Sequence, residues 1–315
     1  MGEDLNDIVS IGECMVELYS NTPIEITTTF EKTLGGDAFN LLSMAQRLGS
    51  RTGFVTKLGN DTFASFLRKS FLDRKINIDS IASCDGYTGI YFVTLADHGE
   101  RQFIYYRSKS AASRLTVQDL DSGYLCNTKI LHSSGITQAI SKSSSLTVTH
   151  AFATGKNRGV TISYDPNIRT KLCSLQTARN NFQKVACYID ILLPSQEELL
   201  ALNKTKSLST AIDRTTSLGI KTIVIKKGAN GCELIHQGQS TCYPAIKGLD
   251  INDTTGAGDA FNGAFLHGIA QGMDPTKATQ LALIASGLKC RKRGAVDSQP
   301  SKNEVYGHYM SQSLN

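Results

Sequence analysis

The chain has no Cys-x-x-Cys pair, no apolar run of transmembrane length, no Pro-rich linker and no internal repeat. Its 8 cysteines are scattered from Cys14 to Cys290 along 315 residues, a chain too large to need disulfide staples, so they read as reduced thiols. The N-terminus, MGEDLNDIVSIGE, is acidic and lacks the basic flank and apolar stretch of a secretory signal. Together these absences predict a cytoplasmic protein with no membrane partner. Without repeat or linker there is no sign of a second independent domain, and a 40% hydrophobic chain can bury one large core over 1–315. Charge is also nearly balanced: Lys+Arg 33 against Asp+Glu 28 gives +5, with no long basic run that would demand nucleic acid. The densest basic stretch, Lys289, Arg291, Lys292 and Arg293, reads as a solvated helix end, with a place beside a phosphate ligand as the alternative. HExxH, GxSxG, G-x-x-x-x-G-K-[ST] and protein-kinase loop signatures are all missing, which removes the chemistries they carry. Asn-x-Thr occurs at Asn60, Asn203 and Asn252 and is taken as chance, because a glycan on Asn252 would block the loop assigned to chemistry below.

What is present is alternation. Short β-branched runs, Ile8 to Met15, Gly53 to Leu58, Ile130 to Ser133, Val160 to Tyr164, Ile189 to Leu193 and Thr222 to Lys226, are predicted strands. Helical patterns lie between most of them: Ala38 to Leu48, Thr62 to Lys75, Thr177 to Val185, Glu197 to Leu202, and Thr210 to Leu218 ended by Gly219. The expected architecture is an α/β fold, a mostly parallel sheet with helices on both faces and ligands at the carboxyl ends of its strands. One segment departs from it. Tyr87 to Ala96 and Arg101 to Arg107 flank Asp97-His98-Gly99 and predict a hairpin, either a small antiparallel appendage or an edge of the main sheet.

The most informative stretch is Asp253-Thr254-Thr255-Gly256-Ala257-Gly258-Asp259, running into a helical segment. Gly256 and Gly258 let backbone approach a ligand and aim N–H groups at it, while the helix dipole favours negative charge. Gly256, Ala257 and Gly258 thus form a candidate anion hole. Asp259 beside it could accept the proton of an attacking hydroxyl, or serve only as a helix cap. Phe261 stands where a dinucleotide fingerprint needs its last glycine, which excludes that reading.

This stretch resembles the late D-T-x-G-A-G-D signature of the ribokinase-like, or PfkB, carbohydrate kinases. Gly35-Gly36-Asp37-Ala38-Phe39-Asn40 is similar to that family's G-G-x-x-x-N sugar-binding element, and Gly12-Glu13 and Lys227-Gly228-Ala229-Asn230-Gly231 extend the likeness along the whole chain. The resemblance implies a ribokinase-like fold that phosphorylates a carbohydrate with ATP and Mg2+. It implies Asp259 as catalytic base and the Gly256, Ala257 and Gly258 amides around the transferred phosphoryl. It places Gly35, Gly36, Asp37 and Asn40 on sugar hydroxyls, though Asp37 could also be a cap. It sets Ser195, Lys227, Gly228, Gly231, Gly256 and Gly258 on the nucleotide, and Asp253 and Thr255 at a monovalent-cation position that K+ fills in many relatives. The family's N-x-x-E element reads Ser195-Gln196-Glu197-Glu198 here: Glu198 would act on Mg2+ indirectly, or would simply complement its helix dipole.

Centring the hairpin turn on His98 puts Tyr91 opposite Tyr105, and alternation sends Phe103, Tyr105 and Arg107 to one face. That face is a candidate substrate surface or plain cross-strand packing. In the family it belongs to a β lid, here about 13–34 and 86–108, which often mediates dimerisation, so a homo-oligomer of at least two chains is expected. Tyr105-Tyr106-Arg107-Ser108-Lys109-Ser110-Ala111-Ala112 looks most like 2-keto-3-deoxygluconate kinases, and Asp165-Pro166-Asn167-Ile168-Arg169 resembles a D-P-N-x-R run that fructokinases share. Arg107 and Arg169 in one pocket would suit a sugar acid's carboxylate. The readings in competition are a sugar-acid kinase, a fructokinase or other neutral-sugar kinase, an inactive sugar-binding regulator, and, last, a nucleic-acid binder using residues 289–293.

Overall fold

The computed structural model describes residues 5–95 and 101–312; the expected turn Asp97-His98-Gly99 lies outside the described residues. Thirteen strands occur among the described residues: β1 (Asn6–Ile11), β2 (Met15–Tyr19), β3 (Glu31–Gly35), β4 (Thr52–Gly59), β5 (Ile81–Cys84), β6 (Ile90–Leu95), β7 (Arg101–Tyr106), β8 (Thr128–Ser134), β9 (Thr161–Asp165), β10 (Ile191–Leu192), β11 (Thr222–Lys226), β12 (Cys232–His236) and β13 (Gln239–Tyr243). They form two sheets. The larger, nine-stranded sheet runs β13-β12-β11-β10-β9-β8-β1-β4-β5, parallel from β11 through β5 and antiparallel at its β11-β12-β13 edge. The smaller runs β3-β2-β6-β7.

The predicted strand Ile8 to Met15 divides in two. Strand β1 ends at Ile11, and Met15 begins β2 of the smaller sheet, so Gly12-Glu13-Cys14 is the point where the chain leaves one sheet for the other. The chain then builds β4 and β5 on one side of β1 and returns to build β8 through β11 on the other. That reversal opens a crevice beyond the carboxyl ends of the strands, where such sheets bind ligands.

Both faces of the sheet are covered because its apolar side chains point both ways. On one face Phe54 of β4 packs with Phe39, Phe71, Leu42, Met44, Phe265, Leu281 and Ile284, from the helices Asp37–Leu48, Thr62–Asp73, Ala257–Ala270 and Pro275–Lys289. On the other, Val148 and Phe152 of the helix Lys142–Asn157 meet Tyr164, Phe182 and Ala211. The helices Asp37–Leu48 and Ala257–Ala270 approach closely at Gly263, where a Cβ would stand 2.3 Å from the Leu41 carbonyl oxygen. This contact fixes the distance between the two helix starts that carry the site. Among the described residues no helix is long and apolar enough to cross a membrane.

Candidate active site

The strands deliver polar residues to the crevice at their carboxyl ends: Glu13 after β1, Ser134 at the end of β8, Asp165 at the end of β9, Ser195 after β10 and Lys226 at the end of β11. Each follows an apolar run buried in the sheet, so the backbone is rigid up to the residue that turns outward.

Asp259 lies in the first turn of the helix Ala257–Ala270, whose preceding residue Gly256 takes the left-handed conformation at φ 73. Its Oδ2 accepts from Asn40 Nδ2 at 2.7 Å. Burial, followed by the nearby Asp37 carboxylate, pushes its pKa up to about 7, against the opposing pull of Asn40 and Lys226. A carboxyl poised there can take a proton from a hydroxyl near neutrality.

The N–H groups of Gly256, Gly258 and Asp259 have no acceptor among the described residues, whereas Ala257 N–H closes a turn onto the Thr254 carbonyl at 3.0 Å. Of the three amides expected to form an anion hole, Gly256, Ala257 and Gly258, Ala257 spends its donor internally, and the neighbouring Asp259 N–H is open instead. A Cβ at Gly258 would meet only Lys226 Nζ, at an ordinary 3.7 Å. The space over Gly258 is therefore open apart from the ammonium that faces it.

Lys226 was not singled out in the sequence. Its Nζ donates to Asp165 Oδ2 at 2.8 Å and to Asn262 Oδ1 at 3.1 Å, while Asn262 Nδ2 holds the same Asp165 oxygen at 2.5 Å. Asp165 Oδ1 accepts from Asn167 N–H, shaping a turn in which Asn167 takes φ 35. The Asp165-Pro166-Asn167 run thus positions Lys226 on one side and Asp37 on the other, since Asn167 Nδ2 donates to Asp37 Oδ2 at 3.0 Å.

Asp37, Asn40 and Glu13 gather around Asp259. Burial first, then the charge of Asp37, raises the pKa of Glu13, and burial likewise raises that of Asp37. Glu13 Oε2 and Asp37 Oδ1 are buried and have no hydrogen-bond partner. Buried acceptors left without donors call for a ligand that brings O–H groups. Gly35 and Gly36 join the end of β3 to the helix bearing Asp37 and Asn40.

The smaller sheet covers this pocket. Tyr91 pairs with Tyr105 across β6 and β7, their rings stacked at 5.5 Å, and Phe103 stacks on Tyr105 in turn. The Tyr91 hydroxyl donates to the buried Glu17 carboxylate, so Tyr91 offers its ring rather than its hydroxyl. Arg107 lies over the Tyr105 ring at 4.7 Å and donates to Glu13 Oε1 at 2.5 Å. Arg169 is exposed at the rim, and its charge acts on both Asp37 and Tyr105.

On the other side, Ser195 and Glu198 form a capping box: Ser195 Oγ accepts from Glu198 N–H, and Glu198 Oε2 accepts from Ser195 N–H at 2.8 Å. Glu198 Oε1 accepts from Ile168 N–H at 2.7 Å. Both carboxylate oxygens are bonded to backbone, so Glu198 could meet Mg2+ only through that ion's water. Among the described residues no three His, Cys, Asp or Glu side chains form a metal-holding group. Lys227 pairs with Glu233 at 2.6 Å, and Gly228 and Gly231 take positive φ in the turn that follows.

One predicted feature is corrected near the C-terminus. Lys289 is not at a solvated helix end: it is fully buried, and its Nζ donates to the Asp253 backbone carbonyl at 2.8 Å. Periodicity could have found it, because Lys289 falls four residues after Ala285 and seven after Ala282 on the buried side of its helix. The Asp253 carboxylate is paired with Arg101 and accepts from Thr255 N–H and Gly294 N–H. Burial alone would raise its pKa, but Arg101 and these donors bring it to about 2.

A helix start with unpaired N–H groups, an ammonium, a raised carboxylate and unpaired acceptors meet in this crevice beneath the smaller sheet, an arrangement suited to phosphoryl transfer to a hydroxyl. The chain belongs to the pfkB family carbohydrate kinases, whose pattern matches residues 5–302. It is 32% identical to 2-dehydro-3-deoxygluconokinase of Thermoproteus tenax, over 96% of this chain and 94% of that one. It is 29% identical to fructokinase-1 of Zea mays, over 95% and 96%. Among solved structures it is similar to an E. coli protein assigned as ribokinase II in complex with ATP and Mg2+, with TM-score 0.90 and 26% identity over 98% of this chain and 100% of that one. It is thus an enzyme with the ribokinase-like fold, a carbohydrate kinase.

Proposed function

We propose that this kinase transfers the terminal phosphoryl of ATP to a hydroxyl of a sugar acid, 2-keto-3-deoxygluconate, forming its 6-phosphate. Asp259 takes the proton of the attacking hydroxyl, and the freed oxygen bonds to phosphorus as the bond to the leaving ADP oxygen breaks. The Gly256, Gly258 and Asp259 amides and the Lys226 ammonium stabilise the charge of the transferred group, which is the part of phosphoryl transfer a protein must supply. Mg2+ arriving with ATP adds further neutralisation of phosphate charge. Glu13, Asp37 and Asn40 hold the substrate's hydroxyls.

One observation carries the sugar-acid reading: two guanidiniums, Arg107 after β7 and Arg169 after β9, both act on Tyr105, beside the buried acceptors Glu13 and Asp37. Guanidinium grips carboxylate in charge-assisted pairs. The reading of a neutral-sugar kinase has its own support, because Glu13 already offsets Arg107 and the relatives include fructokinases. Arg107→Ala separates the two. A lost charge-assisted bond of about 1.5–3 kcal/mol lowers kcat/KM for the sugar acid roughly 10- to 150-fold. Removing Arg107 also unpairs buried Glu13, which harms every substrate, so the ratio between sugar acid and fructose is the quantity to read. Equal losses on the two would remove the carboxylate role.

A further inference from the structure

Relatives of this family commonly place a monovalent cation where this chain has Asp253 and Thr255. Such an ion needs several oxygens turned towards one point and open to it. Here those oxygens already face nitrogen cations. Lys289 Nζ donates to the Asp253 carbonyl at 2.8 Å and lies 3.8 Å from its Oδ2. Arg101 pairs with the Asp253 carboxylate and donates to Thr255 Oγ1 at 2.7 Å. The rest of the carboxylate is taken by Thr255 N–H and Gly294 N–H, at 2.8 and 2.7 Å. A further unit charge would enter beside a fully buried ammonium and a guanidinium, and the repulsion would be felt at low dielectric. The residues present do not fit the ion.

They do fit a purpose. Asn252 N–H and Asp253 N–H both donate to the Cys290 carbonyl, and Ser286 Oγ donates to the Ala257 carbonyl at 3.0 Å. The end of the helix Pro275–Lys289 therefore clasps the loop that leads into the anion hole, and Lys289 is the charged pin of that clasp. Its charge also acts on Asp259, although the two do not touch.

We infer that the Lys289 ammonium stands in for the family's monovalent cation, as a positioning residue for the Asp253–Asp259 loop, so that catalysis in this chain does not depend on K+. This rests on the phosphoryl-transfer reading of the site.

The test compares the full-length wild type with Lys289→Ala in KCl, NH4Cl, NaCl and tetramethylammonium chloride at equal ionic strength. Two quantities are read: sugar-dependent ADP release, and the thermal midpoint of the substrate-free protein. Wild type is expected to turn over within about twofold in every salt. Lys289→Ala is expected to lose roughly tenfold or more of kcat in tetramethylammonium chloride and to recover saturably in KCl or NH4Cl, the ion filling the space the ammonium left. Its midpoint rises with KCl as for a bound ligand, while that of wild type follows ionic strength alone. Saturable K+ activation of wild type would overturn the inference. So would a variant that is equally slow and equally unstable in every salt, which is a lysine of structure only, or one with unchanged turnover in tetramethylammonium chloride. Lys289→Met keeps the apolar stem should the alanine variant not fold, and the wild-type salt series decides alone should neither fold. If wild type releases no ADP with any sugar, the kinase reading fails, and the midpoint series still judges the cation.

Discussion

At the scale of residues, the site is a set of carboxylates kept in different states by their surroundings. Asp253 is held ionised by Arg101 and backbone N–H groups, while Asp259 is pushed up to about 7 by burial and Asp37. Asp259→Asn keeps the shape and an acceptor for Asn40, so ATP binding should persist while turnover falls roughly 100-fold or more, as for a lost general base. Wild-type turnover should fall as pH drops below about 7, where Asp259 gains its proton. Linkage gives a second readout. A carboxyl whose folded pKa is raised contributes nothing unfavourable below its unfolded pKa, and folding stability is lost as pH rises towards the folded value. The asparagine variant should therefore be the more stable protein, by a margin that is absent below the ordinary carboxyl value 3.8, grows up to about 7 and is constant above it. Thermal midpoints across pH measure this, and a variant less stable at pH 8 would contradict the raised carboxyl. Asp259 and its glycines were legible because the whole device lies within seven consecutive residues. Lys226 was not, since its partner Asp165 is 61 positions away and nothing local marks a lysine that ends a buried strand.

At the scale of elements, local chemistry was readable where one segment completes its own structure. The hairpin is such a case: centring the turn on His98 gives Tyr91 opposite Tyr105, the register observed. The break of the first strand was not readable, because Ile8 to Met15 is continuously apolar enough for either sheet, apart from Gly12 and Glu13, and only tertiary pairing divides it. The clearest case of one element placing another is Gly263. A Cβ there would press on the Leu41 carbonyl, which is backbone and cannot move aside. Gly263→Val should destabilise by about 1–3 kcal/mol through overpacking, read as a lower denaturation midpoint. It should also loosen the Asn40 bond that restrains the pKa of Asp259, moving the acid limb of the turnover profile to higher pH. An unchanged midpoint would mean that the two helices are not in close contact at that point.

At the scale of the whole molecule, alternating strand and helix signals gave the parallel sheet with covered faces, because each unit buries its own apolar run. The order of strands and the antiparallel edge β11-β12-β13 did not follow from it, since order depends on which faces meet. That order, with β1 at the reversal, is what gathers Glu13, Asp165 and Lys226 from residues far apart in sequence. It also sets the smaller sheet over them, with Arg101 bonded to Asp253 and Arg107 to Glu13, so that this sheet touches both the Asp253–Asp259 loop and the Glu13 side of the crevice. The substrate is the point where this architecture makes its most exposed commitment. The measurement that tests it most directly is kcat/KM of the wild type for ADP release with 2-keto-3-deoxygluconate and with fructose under the same conditions. The account predicts a preference for the sugar acid of at least roughly tenfold, the discrimination expected when one partner of a charge-assisted pair is missing. Equal values, or a preference for fructose, would contradict it.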